Sequence, residues 1–384
     1  MKPDTHLCLV SAQATPNLTP ALDPTTAPRR VILLVSPDMQ RRAEWLAAVL
    51  KPRGIRCESW PITDAWELEQ VQHRVLDLLE REVALIAPRA IALNATGGTK
   101  PMSIGAYEAF RAYDLPIFYV HPERDRLIWM YPQGQGPVDL DNRLRLDAFL
   151  VAHGARVVGS LATPVPRVRR DLAQWLVAGV RANAKALGTL NWLAMEAEST
   201  LVSPELDLGQ RQDQRIQTLI DRFVLAGLIL VRDRRLCFAD EAARFFVNGG
   251  WLEEHVFATL QELRPKVPGI QDLARSLDIV RETSRGEEVP NEIDVACLAE
   301  NRLYLVECKT RVWRGKDAGA AGADALYRLD TLTDLLGGLQ ARAMLVSYRD
   351  LPARVLKRAA DLKVRVCAGA RLPELAGDLA AWLP

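Results

Sequence analysis

Two apolar runs in the last third of the chain, Asn291-Glu292-Ile293-Asp294-Val295 and Leu303-Tyr304-Leu305-Val306-Glu307-Cys308-Lys309-Thr310, carry charged residues on strands that otherwise read as core. Successive side chains of a strand point to opposite faces, so Glu307 and Lys309 share one face. The turn Ala299-Glu300-Asn301-Arg302 lets the runs pair as a hairpin, which brings Asp294 toward Glu307. Ionised groups are costly to bury unless they are paired or bind something. Two carboxylates and one ammonium suit a metal ion with an activated water. Ordinary ion pairs on a solvated strand face are the competing reading, and such pairs contribute little energy.

A chain of 384 residues exceeds one ordinary core, so two or three domains are expected. The sequence is 49% hydrophobic and 25% charged, the composition of a globular protein. With a net charge of +1, contact with nucleic acid must come from local basic patches. The six cysteines are scattered without a C-x-x-C pair, as reduced core thiols in a cytoplasmic compartment would be. No leader-like basic and apolar segment opens the sequence, and no run approaches the roughly 18 apolar residues of a membrane span.

The N-terminal part alternates strand and helix patterns: strands at 7–10, 31–35, 55–60, 90–93 and 117–121, with helices at 39–50, 65–85 and 101–112 between them. That rhythm predicts a parallel α/β sheet. The Pro-rich Thr163-Pro164-Val165-Pro166 precedes helical runs at 171–186 and 214–225, then two short strands around Arg232-Asp233-Arg234-Arg235. Helices followed by a two-stranded wing are the winged-helix pattern, read here as a rigid spacer with direct DNA reading as its alternative. From Gly249 a third α/β unit begins with a helix at 251–263 and contains the charged hairpin. The expected domains are therefore 1–163, 164–248 and 249–384.

Asn94-Ala95-Thr96-Gly97-Gly98-Thr99-Lys100-Pro101-Met102 joins a buried strand to a helix, where open α/β sheets bind ligands. Two glycines admit close backbone approach and the free amides of the helix start favour an anion. The spacing is neither that of a Walker loop nor that of the dinucleotide fingerprint. A Gly-Gly turn capped by Thr99 is the plain structural alternative. Ser11 to Asn17 and Ser36 to Met39 follow neighbouring strands, and loops at the same end of parallel strands converge on one crevice.

Leu93 to Met102 resembles the ligand loop of CARF domains, the sensors of cyclic oligoadenylate in type III CRISPR immunity, and Leu9-Val10-Ser11-Ala12-Gln13 with Pro16-Asn17 resembles the first ligand loop of the Can/Card group of CRISPR ancillary nucleases. Gly250-Trp251-Leu252-Glu253-Glu254, Asn291 to Asp294 and Glu307 to Thr310 are similar to the PD-(D/E)xK nuclease domain of that group, although no Pro-Asp precedes the hairpin. The resemblance implies a Rossmann-like CARF sheet, a small winged-helix domain and a restriction-endonuclease-like α/β domain. It also implies a homodimer that binds cyclic tetra-adenylate in one two-fold pocket. Ligand contacts would come from Ser11, Ala12, Gln13, Ser36, Met39, Asn94, Thr96, Gly97, Gly98, Thr99, Lys100 and Met102.

In the nuclease unit, the resemblance implies Mg²⁺ or Mn²⁺ on Asp294, Glu307 and the carbonyl of Cys308, with Lys309 orienting the attacking water and Glu254 adding a carboxylate. Glu292 is assigned a structural role. The substrate would be single-stranded RNA or DNA, or supercoiled plasmid DNA. Arg167, Arg169 and Arg170 read as a solvated basic face, with nucleic-acid contact as the alternative. Arg311, Arg314 and Lys316 suit a substrate backbone, and Trp313 suits an unpaired base or the core. Two other functions compete: a cyclic-oligoadenylate-sensing transcription regulator with an inactive nuclease fold, and a repair or restriction nuclease that needs no activator.

Overall fold

The computed structural model describes residues 2–85, 90–121, 124–283, 286–310 and 318–384, except the side chains of 83–85, 161 and 318–321. Strands β1 (Thr5–Leu9), β2 (Arg30–Val35), β3 (Arg56–Pro61), β4 (Ile91–Asn94), β5 (Ile117–His121), β6 (Arg126–Tyr131) and β7 (Val138–Asp139) form one sheet, in the order β3-β2-β1-β4-β5-β6-β7. β3 to β5 across the middle are parallel and β6 and β7 are antiparallel additions. β1, β2 and β4 are mostly apolar and buried along nearly their whole length. Their runs lack alternation because helices cover both faces of a parallel sheet. The order reverses at β1, so the loops after β1 and β4 open on one crevice.

Two details differ from the sequence expectation. The segment read as a polar loop at Ser11 to Asn17 turns at Thr15 into a helix, Thr15–Leu22, whose residues from Thr15 to Ala21 are all buried. Pro16 sits in its first turn, where the missing N–H costs nothing, and the Asn17 amide donates to the Leu9 carbonyl at 3.0 Å. Only Ser11, Ala12 and Gln13 stay accessible on that rim.

The second difference concerns β8 (Ala155–Leu161), which pairs with the sheet of the C-terminal unit and not with the first sheet. That sheet runs β15-β14-β13-β12-β11-β8, where β11 is Ile270–Glu282, β12 Glu288–Ala299, β13 Arg302–Lys309, β14 Ala341–Ser347 and β15 Arg365–Ala368. Residues 1–163 thus do not all serve one sheet. One apolar cluster joins Cys8, Val10 and Leu18 of the first unit to Ile293, Leu303, Leu305, Leu326 and Leu345 of the second.

Between the sheets, helices Arg167–Ala178, Val180–Glu196, Leu208–Gln212 and Gln214–Leu225 precede an antiparallel pair, β9 (Ile229–Arg232) and β10 (Arg235–Phe238). Their apolar faces fuse with the helix Trp251–Leu263 and the other face of the second sheet into a further cluster. The middle segment is therefore packed into the C-terminal unit along its length.

Candidate active site and ligand loop

β12 and β13 pair antiparallel from Val295 opposite Val306 to Ala299 opposite Arg302, which sets Asp294 beside Glu307 at the end of the ladder. The Cys308 amide donates to Asp294 Oδ2 at 2.6 Å, and Lys309 forms an ion pair with Glu307. The hairpin thus assembles Asp294, Glu307 and Lys309 as its sequence predicts. Burial, and then the neighbouring Glu307 carboxylate, push Asp294 up to about 7.

Glu253, on the helix Trp251–Leu263, completes the cluster. Burial, followed by the charges of Asp294 and Glu292, pushes its carboxyl up to about 9. Ser276 has φ +45° in β11 and its hydroxyl lies 3.5 Å from Glu253 Oε2. A non-glycine residue in that region marks a local kink, and this one lies across the sheet from Asp294.

Glu254, expected to serve the site, is turned away from it. It is buried and accepts from Arg169 at 2.9 Å and from Arg275 at 3.5 Å. Consecutive helical residues point about 100° apart, so when the helix packs with Glu253 toward the hairpin, Glu254 must face elsewhere. The same contact corrects the reading of Arg169 as a solvated surface residue, since its guanidinium also lies over the Phe246 ring at 5.3 Å. Arg167 and Arg170 make surface pairs with Asp171 and Glu262. Glu292 shares the parity of Asp294 and adds to the negative potential on both Asp294 and Glu253. Its assigned structural role gave that charge no part. A doubled Glu253-Glu254 on a helix before the hairpin was the signal, but sequence cannot say which of the two faces inward. Arg311, Trp313, Arg314 and Lys316 lie outside the described residues.

The cluster is approached from two sides. Glu292 and Glu307 line a cleft of about 530 Å³ under the helix Ala318–Gly337, together with Asp324, Tyr327 and Arg328. Glu253, Cys308, Lys309 and Thr310 line a second, of about 550 Å³, against the helix Val180–Glu196. Gly249, with φ +125°, closes the second cleft, and a Cβ there would lie 2.2 Å from Thr310 Oγ1. Among the described residues no three acidic, histidine or cysteine side chains converge as a preassembled metal site. Asp294 is held by an amide and Glu307 by Lys309. Even so, the donor set fits a hard divalent ion: oxygen ligands with more negative charge than one lysine offsets, and a cation would relieve the mutual repulsion that helps raise the Asp294 and Glu253 carboxyls.

At the other sheet, Thr99 caps the helix Lys100–Ala112 by accepting from the Met102 amide, and its own hydroxyl donates to the Ala65 carbonyl. A Cβ on Gly97 would lie 2.1 Å from the Leu9 carbonyl oxygen, and Gly98 has φ +73°. The loop therefore lies directly on the end of β1, beside Ser11. Asn94 is fully buried and donates to Pro16 O at 2.8 Å and Asn17 Oδ1 at 3.0 Å. Thr96 donates to Asn94 Oδ1 and accepts from the Val120 amide, each near 2.8 Å or shorter. Asn94 and the fully buried Met102 thus brace the loop from below, and Ser36 is buried with its hydroxyl on Asp38 Oδ1. Ser11, Ala12, Gln13, Gly98, Thr99 and Lys100 form the accessible rim, with Met39 partly exposed behind them. Gln13 reaches the second unit, since a Cβ on Gly338 would lie 2.8 Å from its Nε2.

A Rossmann-like sheet with an anion-suited loop, joined through one core to a mixed sheet bearing an acidic cluster and a lysine, defines a sensor–nuclease architecture. Residues 5–149 match the Card1 CARF domain and residues 240–383 the Card1-like endonuclease domain. The crystal structure of protein VC1899 from Vibrio cholerae is similar at 31% identity and a TM-score of 0.88, covering 99% of this chain and 97% of that one. The structure of Can2 from Sulfobacillus thermosulfidooxidans in complex with cyclic tetra-adenylate is similar at 25% identity and a TM-score of 0.78, with 99% and 97% covered. A type III CRISPR defence DNA nuclease activated by cyclic oligoadenylate is 22% identical with a TM-score of 0.58, over 92% of this chain and 47% of that one, and shares the fold. No curated protein sequence matches. The chain belongs to the Can/Card group of CRISPR ancillary nucleases. Among the described residues no helix is long and apolar enough to cross a membrane.

Proposed function

We propose that the chain is a metal-dependent nuclease of type III CRISPR defence, switched on by cyclic tetra-adenylate bound across a homodimer. The observation that carries this reading is the direct packing of Gln13, on the ligand rim, against Gly338 at the end of the helix that walls the cleft of Glu307. A ligand that moves the rim therefore pushes on an element of the nuclease site. The relative that holds cyclic tetra-adenylate supports the choice of ring. Lys100 is exposed at the helix start, where amides and dipole favour a phosphate. Trp66, 72% exposed, and Ile104, 51% exposed, flank the loop and suit cover by a second copy.

Asp294, Glu307 and the Cys308 carbonyl would hold Mn²⁺ or Mg²⁺, with Glu253 beside them. When bound, such an ion would supply an acidified water and stabilise charge at the scissile phosphate. Lys309, released from Glu307, orients the water and offsets charge that develops in the transition state. Domain boundaries at 163 and 248 and a cytoplasmic location belong to the same proposal, with β8 lent across the first boundary to the second sheet.

Incubation of the protein with Mn²⁺ and single-stranded RNA, single-stranded DNA or supercoiled plasmid tests the reading. Cleavage should require both the metal and cyclic tetra-adenylate and should vanish in Asp294→Asn. Cutting that ignores the activator, or no cutting of any of the three, would overturn it.

A further inference from the structure

The helix Val180–Glu196 buries Leu187, Leu190, Leu193 and Ala194 in the core, so its opposite stripe is free to meet something else. Arg181, Lys185, Gly188, Trp192 and Met195 recur at spacings of four, three, four and three, which puts them along one face. Gly188, Trp192 and Met195 line the 550 Å³ cleft whose far wall is Glu253, Lys309 and Thr310. Trp192 is 44% exposed and Met195 49%. A single exposed apolar side chain needs no explanation. Two that share a cavity with the acidic cluster and its lysine do. The Asn191 amide, bonded to Thr310 at 3.0 Å, ties this helix to the end of the catalytic strand, so the stripe is held at fixed range from Lys309.

Resting on the nuclease reading above, we infer that this cleft is a nucleobase subsite: an unpaired base next to the scissile phosphate stacks on Trp192 against Met195. Aromatic stacking accepts any base because every base has a π-face. Asn248, which also lines the cleft, offers an amide to a base edge. Arg181 and Lys185, exposed further along the stripe, continue it as a cationic track for the backbone. The cleft admits a base only when it leaves its stack, so the subsite selects single strands, or duplexes that open locally. The helical segment between the two sheets is thereby a substrate-reading element and not a spacer alone.

The test pairs binding with cleavage. Fluorescence anisotropy follows a labelled single-stranded oligonucleotide on an Asp294→Asn background with cyclic tetra-adenylate, with Trp192 either intact or changed to Ala or Phe. Cleavage of the same oligonucleotide is followed in the otherwise native protein. Trp192→Ala should weaken binding and lower kcat/KM roughly ten-fold, the size of one lost stack. Trp192→Phe should restore most of both, and all three proteins should melt within a few degrees of one another. An oligonucleotide with an abasic position beside the cleaved bond should bind the Ala variant and the parent alike. Equal binding of the intact strand by parent and Ala variant, or an equal loss on the abasic strand, would overturn the subsite. Binding is read without turnover, so a failure of the activated-nuclease reading shows separately as absent cleavage by the native protein.

Discussion

Glu253 and Glu254 are neighbours in sequence and opposites in role. Glu254 neutralises two guanidiniums that are 19% and 9% exposed. Removing one partner of a buried pair strands the other, which costs about 3–5 kcal/mol. Glu254→Ala should lower the unfolding free energy by that much, read as a lower urea midpoint at unchanged slope. Glu253→Gln should instead stabilise the metal-free protein and weaken Mn²⁺ binding in a titration. If the two substitutions exchanged effects, the assignment would fail.

Asp294 allows a sharper test, because asparagine retains the oxygen that accepts from Cys308. Its folded value near 7 lies above the ordinary carboxylate value. The folded state therefore holds the proton longer than the unfolded state, and ionisation costs stability. That cost is absent below about pH 4, grows between 4 and 7, and is constant above 7. Metal-free Asp294→Asn should outlast the parent by a margin that widens through that window, on the order of 1.4 kcal/mol for each pH unit. Denaturation at pH 4, 5.5 and 7.5 reads it, and a pH-independent margin would contradict the assignment. Sequence shows Asp294, Glu307 and Lys309 at once, because strand parity is a local rule. It does not show Glu253, whose place depends on how a helix lies over a sheet.

At the level of elements, the Asn94 to Met102 loop shows how a motif is built by what lies beneath it. Gly97 faces a carbonyl, which cannot swing aside as a side chain can. Gly97→Ala should cost about 1–3 kcal/mol, as overpacking does, and should abolish cyclic tetra-adenylate binding by calorimetry. Gly136→Ala, where a Cβ meets nothing within 4 Å, is the matched control. The strand, the turn and the helix cap were legible from the Gly-Gly pair and from Thr99. The burial of Asn94 was not. It follows from Asn17, far away in sequence and adjacent only because β1 and β4 pair.

Across the whole molecule, the sensor and nuclease sheets are not beads on a string. One apolar cluster spans them, β8 is donated across the boundary, and Asn301 in the β12–β13 turn donates to Asp125 and to Asn142 at 3.1 Å. Burial holds Asp125 up to about 6, and Asn301 is among the groups that oppose that shift. The two units should therefore unfold in a single calorimetric transition. Asn301→Ala should destabilise the protein by the cost of an unsatisfied buried group, about 1–3 kcal/mol, read as a lower Tm without splitting the peak. Two resolved transitions in the parent would refute the shared core.

Local patterns along the chain were enough to predict the parallel sensor sheet and the hairpin with its charged face. Each rests on periodicity, on a turn or on a spacing within some twenty residues, and a chain carries those rules locally. Tertiary structure alone decided that Glu253 and not Glu254 meets Asp294, that Thr15 to Leu22 is a buried helix, and that Ala155–Leu161 edges the second sheet. It also set Gln13 against Gly338 and Trp192 across a cleft from Lys309. These arrangements depend on which surfaces bury one another across hundreds of residues, and burial is a property of the packed whole.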